Sequence, residues 1–348
     1  MKKNGAEIVM ECLREMDTDT IFGYPGGSVI PLFDALYKYA EDFNYIATSH
    51  EQGSVHAADG YARSSGKTGV VFATSGPGAT NTVTGIATAY ADSVPLVIIT
   101  GQVSRALIGR DSFQEADITS MTLSVTKHNY LITSAGDIAH VMREAFKIAN
   151  SKRKGPVLID IPKDVFTEEA FYESLCSGDD AGGENDEDGE YSRNLHTSYS
   201  AYPTYSESDL KKCAELINNS GCPVIYCGGG ITSSGASSEL AELCNKAGIP
   251  VVSTMMGLGG FPASHPLNYG LVGMHGSYEA NMAVSGSDLI IATGARFSDR
   301  VTGSTDSFAS GAKIIQIDID PAEIGKNKGV DLFILGDIKD ILSKLNSY

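Results

Sequence analysis

Apolar residues along the first half of the chain follow two alternating rhythms. One repeats every three to four residues and predicts helices over Ala6–Met16, Val29–Tyr39, Gln52–Arg63 and Ile138–Asn150, with a further helix running from the Ser75-Gly76-Pro77-Gly78 turn through Tyr90. The other is a short, nearly unbroken apolar run. It predicts strands over Thr20–Gly23, Asn44–Thr48, Gly69–Thr74, Pro95–Thr100 and Gly155–Ile161. Strands apolar on both faces, separated by amphipathic helices, predict a mostly parallel sheet covered on both sides.

The rhythm stops between residues 174 and 203, where Gly, Ser, Asp, Glu and Tyr replace the aliphatics, and this stretch reads as an acidic flexible linker. It resumes with helices over Glu207–Asn218 and Ser237–Ala247 and strands over Cys222–Cys227, Ile249–Ser253, Asp288–Thr293, Lys313–Asp318 and Asp331–Leu335. The predicted fold class is therefore α/β, with two doubly wound parallel-sheet domains at residues 1–173 and 204–348.

Composition narrows the function classes. Hydrophobic residues are 42% and charged residues 20%, an ordinary globular balance. No run approaches the roughly 20 apolar residues of a membrane span. The N-terminus reads as neither a signal nor a transit peptide, so a cytoplasmic protein is expected. The net charge is −17, and eight acids with no intervening base crowd between Glu173 and Glu190. Nothing in this balance offers the basic face that nucleic acid requires. The six cysteines form no C-x-x-C pair and no zinc spacing, and read as reduced thiols.

Several single motifs fail on spacing. His50 and His56 are six apart, where a zinc-protease helix needs four. Ser75 lacks the flanking glycines of a hydrolase nucleophile elbow. Gly228-Gly229-Gly230 has two glycines of a dinucleotide loop, but Ser233 replaces the third, and a tight turn explains it equally well. More informative are three small-residue turns that close predicted strands: Tyr24-Pro25-Gly26-Gly27, Ser49-His50-Glu51-Gln52-Gly53 and Thr74-Ser75-Gly76-Pro77-Gly78. In an open parallel sheet such ends share one edge, where ligands bind. The carboxylate at that edge, Glu51, is equally a candidate catalytic acid and a helix-start acid facing the macrodipole.

His50-Glu51-Gln52-Gly53, Gly60-Tyr61-Ala62-Arg63, Ser75-Gly76-Pro77-Gly78-Ala79-Thr80-Asn81 and Gly101-Gln102-Val103 occur in the order seen in thiamine-diphosphate decarboxylases and synthases. Phe113-Gln114-Glu115, Thr126-Lys127-His128-Asn129, Ile161-Pro162-Lys163-Asp164, Gly273-Met274-His275-Gly276 and Gly294-Ala295-Arg296-Phe297-Ser298-Asp299-Arg300-Val301 narrow this. With them the chain resembles the acetolactate synthases, over nearly all its length except the acidic stretch.

The resemblance implies roles residue by residue. Glu51 matches the glutamate that hydrogen-bonds N1′ of the cofactor's aminopyrimidine and so promotes loss of the thiamine C2 proton. Gly27, Pro77 and Asn81 match the pyrimidine pocket, and Phe113, Gln114 and Lys163 the substrate channel. Lys163 reads at least as well as a solvated lysine. FAD, without a net redox role, is implied at Arg153, Gly228, Gly229, Gly230, Thr254, Met255, Met256, Gly273, Met274, His275, Gly294, Arg296, Arg300, Asp318, Ile319 and Asp337; any one of these is also open to a structural role. Pyruvate and 2-ketobutyrate are the implied substrates, in branched-chain amino-acid synthesis. A homodimer and a regulatory small subunit are the implied partners.

Departures accompany the match. Ser104, Arg110 and Ser298 stand where many relatives carry proline, a small hydroxyl residue and aspartate. The relatives hold the diphosphate and Mg²⁺ through a third domain with a Gly-Asp-Gly segment, which this sequence lacks. The expectation is thus a two-domain portion of a synthase, with no metal ligands of its own and inactive by itself. The alternatives are another thiamine-diphosphate enzyme, such as a pyruvate oxidase, and a non-catalytic FAD- or partner-binding protein.

Overall fold

Inner strands that are buried along their length alternate with helices that cover them. The computed structural model describes residues 1–174 and 205–348. These form two compact units, one before and one after residues 175–204. The acidic stretch expected at 174–203 thus lies, apart from Ser174, outside the described residues.

The first unit has a six-stranded, wholly parallel sheet. Its strands are β2 (Thr20–Gly23), β3 (Asn44–Ala47), β4 (Gly69–Ala73), β5 (Leu96–Gln102), β6 (His128–Leu131) and β7 (Val157–Pro162), arranged β3-β2-β4-β5-β7-β6. The four inner strands are buried throughout, which is why they read as continuous apolar runs. A separate antiparallel pair joins β1 (Lys2–Asn4) to β8 (Glu169–Phe171). Helices Gly5–Glu15 and Ile138–Asn150 pack one face with Val9, Leu13, Met142 and Phe146, and helices Glu51–Ser65 and Val83–Asp92 cover the other with Val55, Ala58 and Ile86. The helix expected to run unbroken through Tyr90 is two helices, Pro77–Thr80 and Val83–Asp92.

The second unit repeats the plan with β9 (Pro223–Cys227), β10 (Val251–Ser253), β11 (Asn268–Leu271), β12 (Leu289–Thr293), β13 (Lys313–Asp318) and β14 (Leu332–Leu335). All are parallel, in the order β11-β10-β9-β12-β13-β14. Counted within the unit this is 3-2-1-4-5-6, the order of dinucleotide-binding folds, and it reverses between β9 and β12. Capping boxes start the leading helix of each unit. Asn4 with Glu7 opens Gly5–Glu15, and Ser206 with Asp209 opens Glu207–Asn218.

Among the described residues no helix is long and apolar enough to cross a membrane. Cys12, Cys213, Cys227 and Cys244 are buried free thiols and Cys222 is an exposed one.

Candidate functional site

In the first unit the strand order reverses between β2 and β4, and the turns that follow these strands are knitted together. Ser28 N donates to Thr74 Oγ1 at 3.2 Å, and the Ser28 and Ser75 hydroxyls share a bond of 2.7 Å. A Cβ at Gly101, near the end of β5, would lie 2.6 Å from Val29, so the turn after β2 also rests on β5.

Glu51 enters this edge as the first residue of helix Glu51–Ser65, behind an N-cap in which His50 Nδ1 accepts from the Gln52 amide. It is only 7% exposed. Its Oε2 accepts from Asn81 Nδ2 at 2.9 Å, and its Oε1 lies 3.1 Å from where a Cβ on Gly78 would sit. Glycine at 78 therefore leaves room for the carboxylate against helix Pro77–Thr80. A buried carboxylate held by a neutral donor, with no cation paired to it among the described residues, keeps its strength as an acceptor for a ligand.

The other expected residues divide. Pro77 begins the helix that ends at the Asn81 cap and is exposed, and Gly27 is exposed with open space around it. Gln114 has φ +57°, and its backbone lies against Gly76, so a Cβ there would be 2.6 Å from the Gln114 carbonyl. Gln114 thus comes to the end of β4, next to Pro77. Phe113 beside it is 88% exposed. Lys163 opens the short helix Lys163–Thr167 after β7; it is exposed and makes no hydrogen bond or ion pair among the described residues. Lys163 and Phe113 are placed at the same sheet edge, without contact to the Glu51 carboxylate.

One group that the sequence reading did not single out lies just beneath. Asp160 on β7, 1% exposed, accepts from Thr100 Oγ1 at 2.7 Å and Gln102 Nε2 at 2.9 Å. Gln102 also donates to the Ala116 carbonyl at 2.8 Å, two residues beyond Gln114. Burial pushes the Asp160 carboxyl up to about 7, against the pull of Thr100 and Gln102. The available signal was a polar side chain in each of two otherwise apolar strands, at paired register positions 100 and 160.

In the second unit the expected flavin residues gather at the β9–β12 reversal. A Cβ on Gly230 would come within 2.6 Å of Gly294 Cα, and one on Gly228 would overlap the Gly294 carbonyl. These glycines are thus required by one another, for close approach of helix Gly229–Ser234 to the turn after β12. The Thr254–Gly257 turn lies over them: Thr254 N donates to the Cys227 carbonyl at 2.9 Å, and a Cβ on Gly229 would meet Met256 at 3.1 Å. Met255 is 61% exposed at this edge. Gly273, at φ +108°, and Met274 are strapped to the Arg300 carbonyl, which accepts from Met274 N at 3.0 Å; His275 follows, exposed.

Arg296 and Arg300 are both exposed. Asp318 ends β13 and is buried, and burial pushes its carboxyl up to about 6 although the Asp320 amide donates to it. Ile319 follows, half-buried, and Asp337 caps helix Ile338–Leu345 by accepting from Asp340 N at 3.1 Å. Arg153 belongs to the first unit, where its Nε donates to Ser93 Oγ at 2.8 Å. Among the described residues no group of three His, Cys, Asp or Glu side chains could hold a metal.

Comparison with known proteins accounts for both units. The family model described as thiamine pyrophosphate enzyme, N-terminal TPP binding domain, matches residues 3–121, and that of the central domain of the same enzymes matches residues 210–345. The chain belongs to the thiamine pyrophosphate enzymes. Within that family it is similar to the probable acetolactate synthase large subunit of Methanocaldococcus jannaschii, 49% identical over 98% of this chain and 55% of that protein. It is 46% identical to acetolactate synthase of Arthrospira platensis, over 98% of this chain and 57% of the relative. The figure for acetolactate synthase of Mycobacterium leprae is 48%, over 98% and 52%. This thiamine pyrophosphate enzyme chain therefore spans about half the length of the curated relatives it matches.

Proposed function

We propose that the chain supplies the aminopyrimidine-binding and flavin-binding parts of an acetolactate synthase catalytic subunit. The reaction so served joins two pyruvates into 2-acetolactate with loss of CO₂, or pyruvate and 2-ketobutyrate into 2-aceto-2-hydroxybutyrate. The observation that carries this reading is Glu51, buried at the switch point of the first sheet and held by Asn81.

The residues present fit the cofactor's pyrimidine. Gly78 leaves space beside the carboxylate that a Cβ would fill, and the open surroundings of Gly27 face no competing side chain. When bound, thiamine diphosphate supplies a carbon acid that adds to the keto carbon of pyruvate and takes up its electrons as CO₂ leaves. Glu51 would accept a hydrogen bond at N1′ of the pyrimidine and stabilise the proton there, while Asn81 fixes the carboxylate's orientation. Phe113 and Gln114 would border the substrate, Gln114 held by its backbone contact with Gly76, and Lys163 would add a positive charge for a carboxylate. Mg²⁺ and the diphosphate are assigned to no residue of this chain.

FAD is proposed at the β9–β12 crevice. The second sheet has the strand order of dinucleotide-binding folds, with Arg296 and Arg300 exposed and the buried Asp318 at the strand ends. Arg153 of the first unit is proposed as a cofactor-binding residue. The domain limits 1–173 and 204–348, a homodimer, a regulatory small subunit and a cytoplasmic site of action complete the proposal.

The deciding experiment is calorimetric titration of the protein with thiamine diphosphate and Mg²⁺. Binding should be saturable, and Glu51→Ala should weaken it at least tenfold, the scale on which a charge-assisted hydrogen bond acts. Equal affinity in the two proteins would overturn the assignment of Glu51.

A further inference from the structure

The turn after β12 is held from both ends and from beneath. Gly294 has φ +59°, pressed against Gly230. Three residues on, Phe297 has φ +51° although it carries a bulky side chain, and that side chain is 2% exposed. Its ring stacks on Tyr226 of β9, with centroids 5.2 Å apart and planes within 11°, and meets Phe308 edge-on at 6.1 Å. A left-handed backbone at a large aromatic residue is costly, and the aromatic packing offsets that cost. Fixing these two points leaves Ala295 buried and Arg296 on the surface between them.

The two carbonyls in between are also tied. Gln316 on β13, with no exposed surface, donates through Nε2 to the Ala295 carbonyl at 3.4 Å and to the Glu323 carbonyl at 3.0 Å, while its Oε1 accepts from Gly325 N at 2.9 Å. Asn327, from the loop that Gln316 thus holds, donates through Nδ2 to the Arg296 carbonyl at 2.8 Å. Gln316 is a buried amide whose bonds all go to backbone of two ligand-edge loops. Asn327 is exposed, so its bond adds little to the core and bears mainly on the orientation of Arg296.

We propose that Gln316 and Asn327 are positioning residues, which preorganise Arg296 to meet the anionic part of a dinucleotide cofactor at the β9–β12 crevice. This rests on the flavin reading above. The reason is entropic. Arginine loses rotamer and backbone freedom when it grips a ligand, and a residue whose own carbonyl is already fixed loses less.

The test is a double-mutant cycle on FAD binding, read by quenching of flavin fluorescence in the full chain. Arg296→Ala should weaken binding by about tenfold, and Asn327→Ala and Gln316→Leu by about threefold to tenfold. The decisive value is the double variant. Asn327→Ala should have little further effect once Arg296 is alanine, because its action passes through that residue. Equal fold-changes with and without Arg296, or an Asn327→Ala protein that binds as the wild type does, would overturn the proposal. Asn327→Asp, nearly isosteric but unable to donate, should behave as the alanine variant. Gln316→Leu removes a buried amide, so its unfolding curve is recorded. If it does not fold, the exposed Asn327 variants alone decide. Absence of FAD binding by the wild-type chain would instead refute the flavin reading itself, and with it the ligand assigned to Arg296.

Discussion

Asn81 and Glu51 meet across 2.9 Å although they follow strands that are not neighbours: β3 precedes Glu51, β4 precedes Asn81, and β2 lies between. The two short segments after β3 and β4 therefore reach over the turn after β2 to touch. The helices that follow them, Glu51–Ser65 and Val83–Asp92, cover the same face, while the helix after β2, Ile30–Lys38, leaves to the other, so the crossing lies at the reversal of strand order, where a crevice opens. The acid is buried because the fold closes around that crossing.

Replacing Glu51 with glutamine keeps the side chain's size and its acceptor for Asn81 but removes the negative charge. The variant should unfold at nearly the wild-type temperature. Exchange of the C2 proton of bound thiamine diphosphate, followed by proton NMR in deuterated buffer, should slow by about 100-fold or more, the range of acid–base contributions. Exchange at the wild-type rate would remove Glu51 from the chemistry.

Gly76→Ala addresses the seat of Gln114. Residue 76 has φ +56°, and the added methyl would meet backbone atoms of Gln114 at 2.6 to 2.8 Å, which cannot rotate aside. Left-handed backbone and overpacking should together cost about 2–4 kcal/mol in urea unfolding. A loss below 0.5 kcal/mol, by the usual scale of neutral substitutions, would show that the 112–116 loop moves freely away from β4.

How far this was legible in the sequence depended on burial. Strands such as Leu96–Gln102 and Val157–Pro162 are covered on both faces, so their apolar runs were plain. The edge strands β6 and β11, which the hydrophobic pattern did not reveal, expose much of His128–Leu131 and Asn268–Leu271 and carry polar residues there. β11 also contains Gly270 at φ +86° and an irregular register against β10. In the site, Glu51 and Asn81 were recognisable from their motifs, but the bond between them depends on a reversal of strand order that local periodicity does not encode. The glycines at 228, 230 and 294 stood out in the sequence only as a turn and as positions implied by the resemblance; what fixes them is contact with each other, invisible before the sheet was assembled.

Arg143 grips Glu15 with Nε and Nη2, both at 3.0 Å, and Tyr172 donates to the same carboxylate at 2.5 Å. The Glu15 side chain is 4% exposed. Arg143→Met would take this guanidinium from a buried carboxylate, and should lower stability by about 3–5 kcal/mol. The Arg143→Met, Glu15→Gln double variant should recover part of the loss, because the buried carboxylate charge that Arg143 served is gone. Urea titration of the three proteins measures both effects; a double variant as unstable as Arg143→Met plus Glu15→Gln taken separately would mean that the two side chains act independently.

Asp160 sets a pH dependence of the opposite sign to that of an ordinary paired carboxylate. Its folded value, about 7, stands above the unfolded value near 3.8. Between these limits the unfolded chain has lost a proton that the folded protein keeps. The contribution of this group is therefore fully present below about pH 4, falls as pH rises, and is gone above about pH 7. The slope is about 1.4 kcal/mol per pH unit at most within that window. Protonation is tolerated because the Thr100 hydroxyl can rotate from donor to acceptor, while Gln102 keeps its bond to the other oxygen. Asp19, held down to about 2 chiefly by Lys67, acts the other way but titrates below this window. The isosteric Asp160→Asn variant has no such proton. Urea unfolding of both proteins at intervals from pH 5 to pH 8 should show the wild type gaining on the variant by roughly 1–3 kcal/mol as the pH is lowered. A difference that stays constant across the range would mean that Asp160 is charged throughout and that its bonds to Thr100 and Gln102 outweigh the cost of its burial.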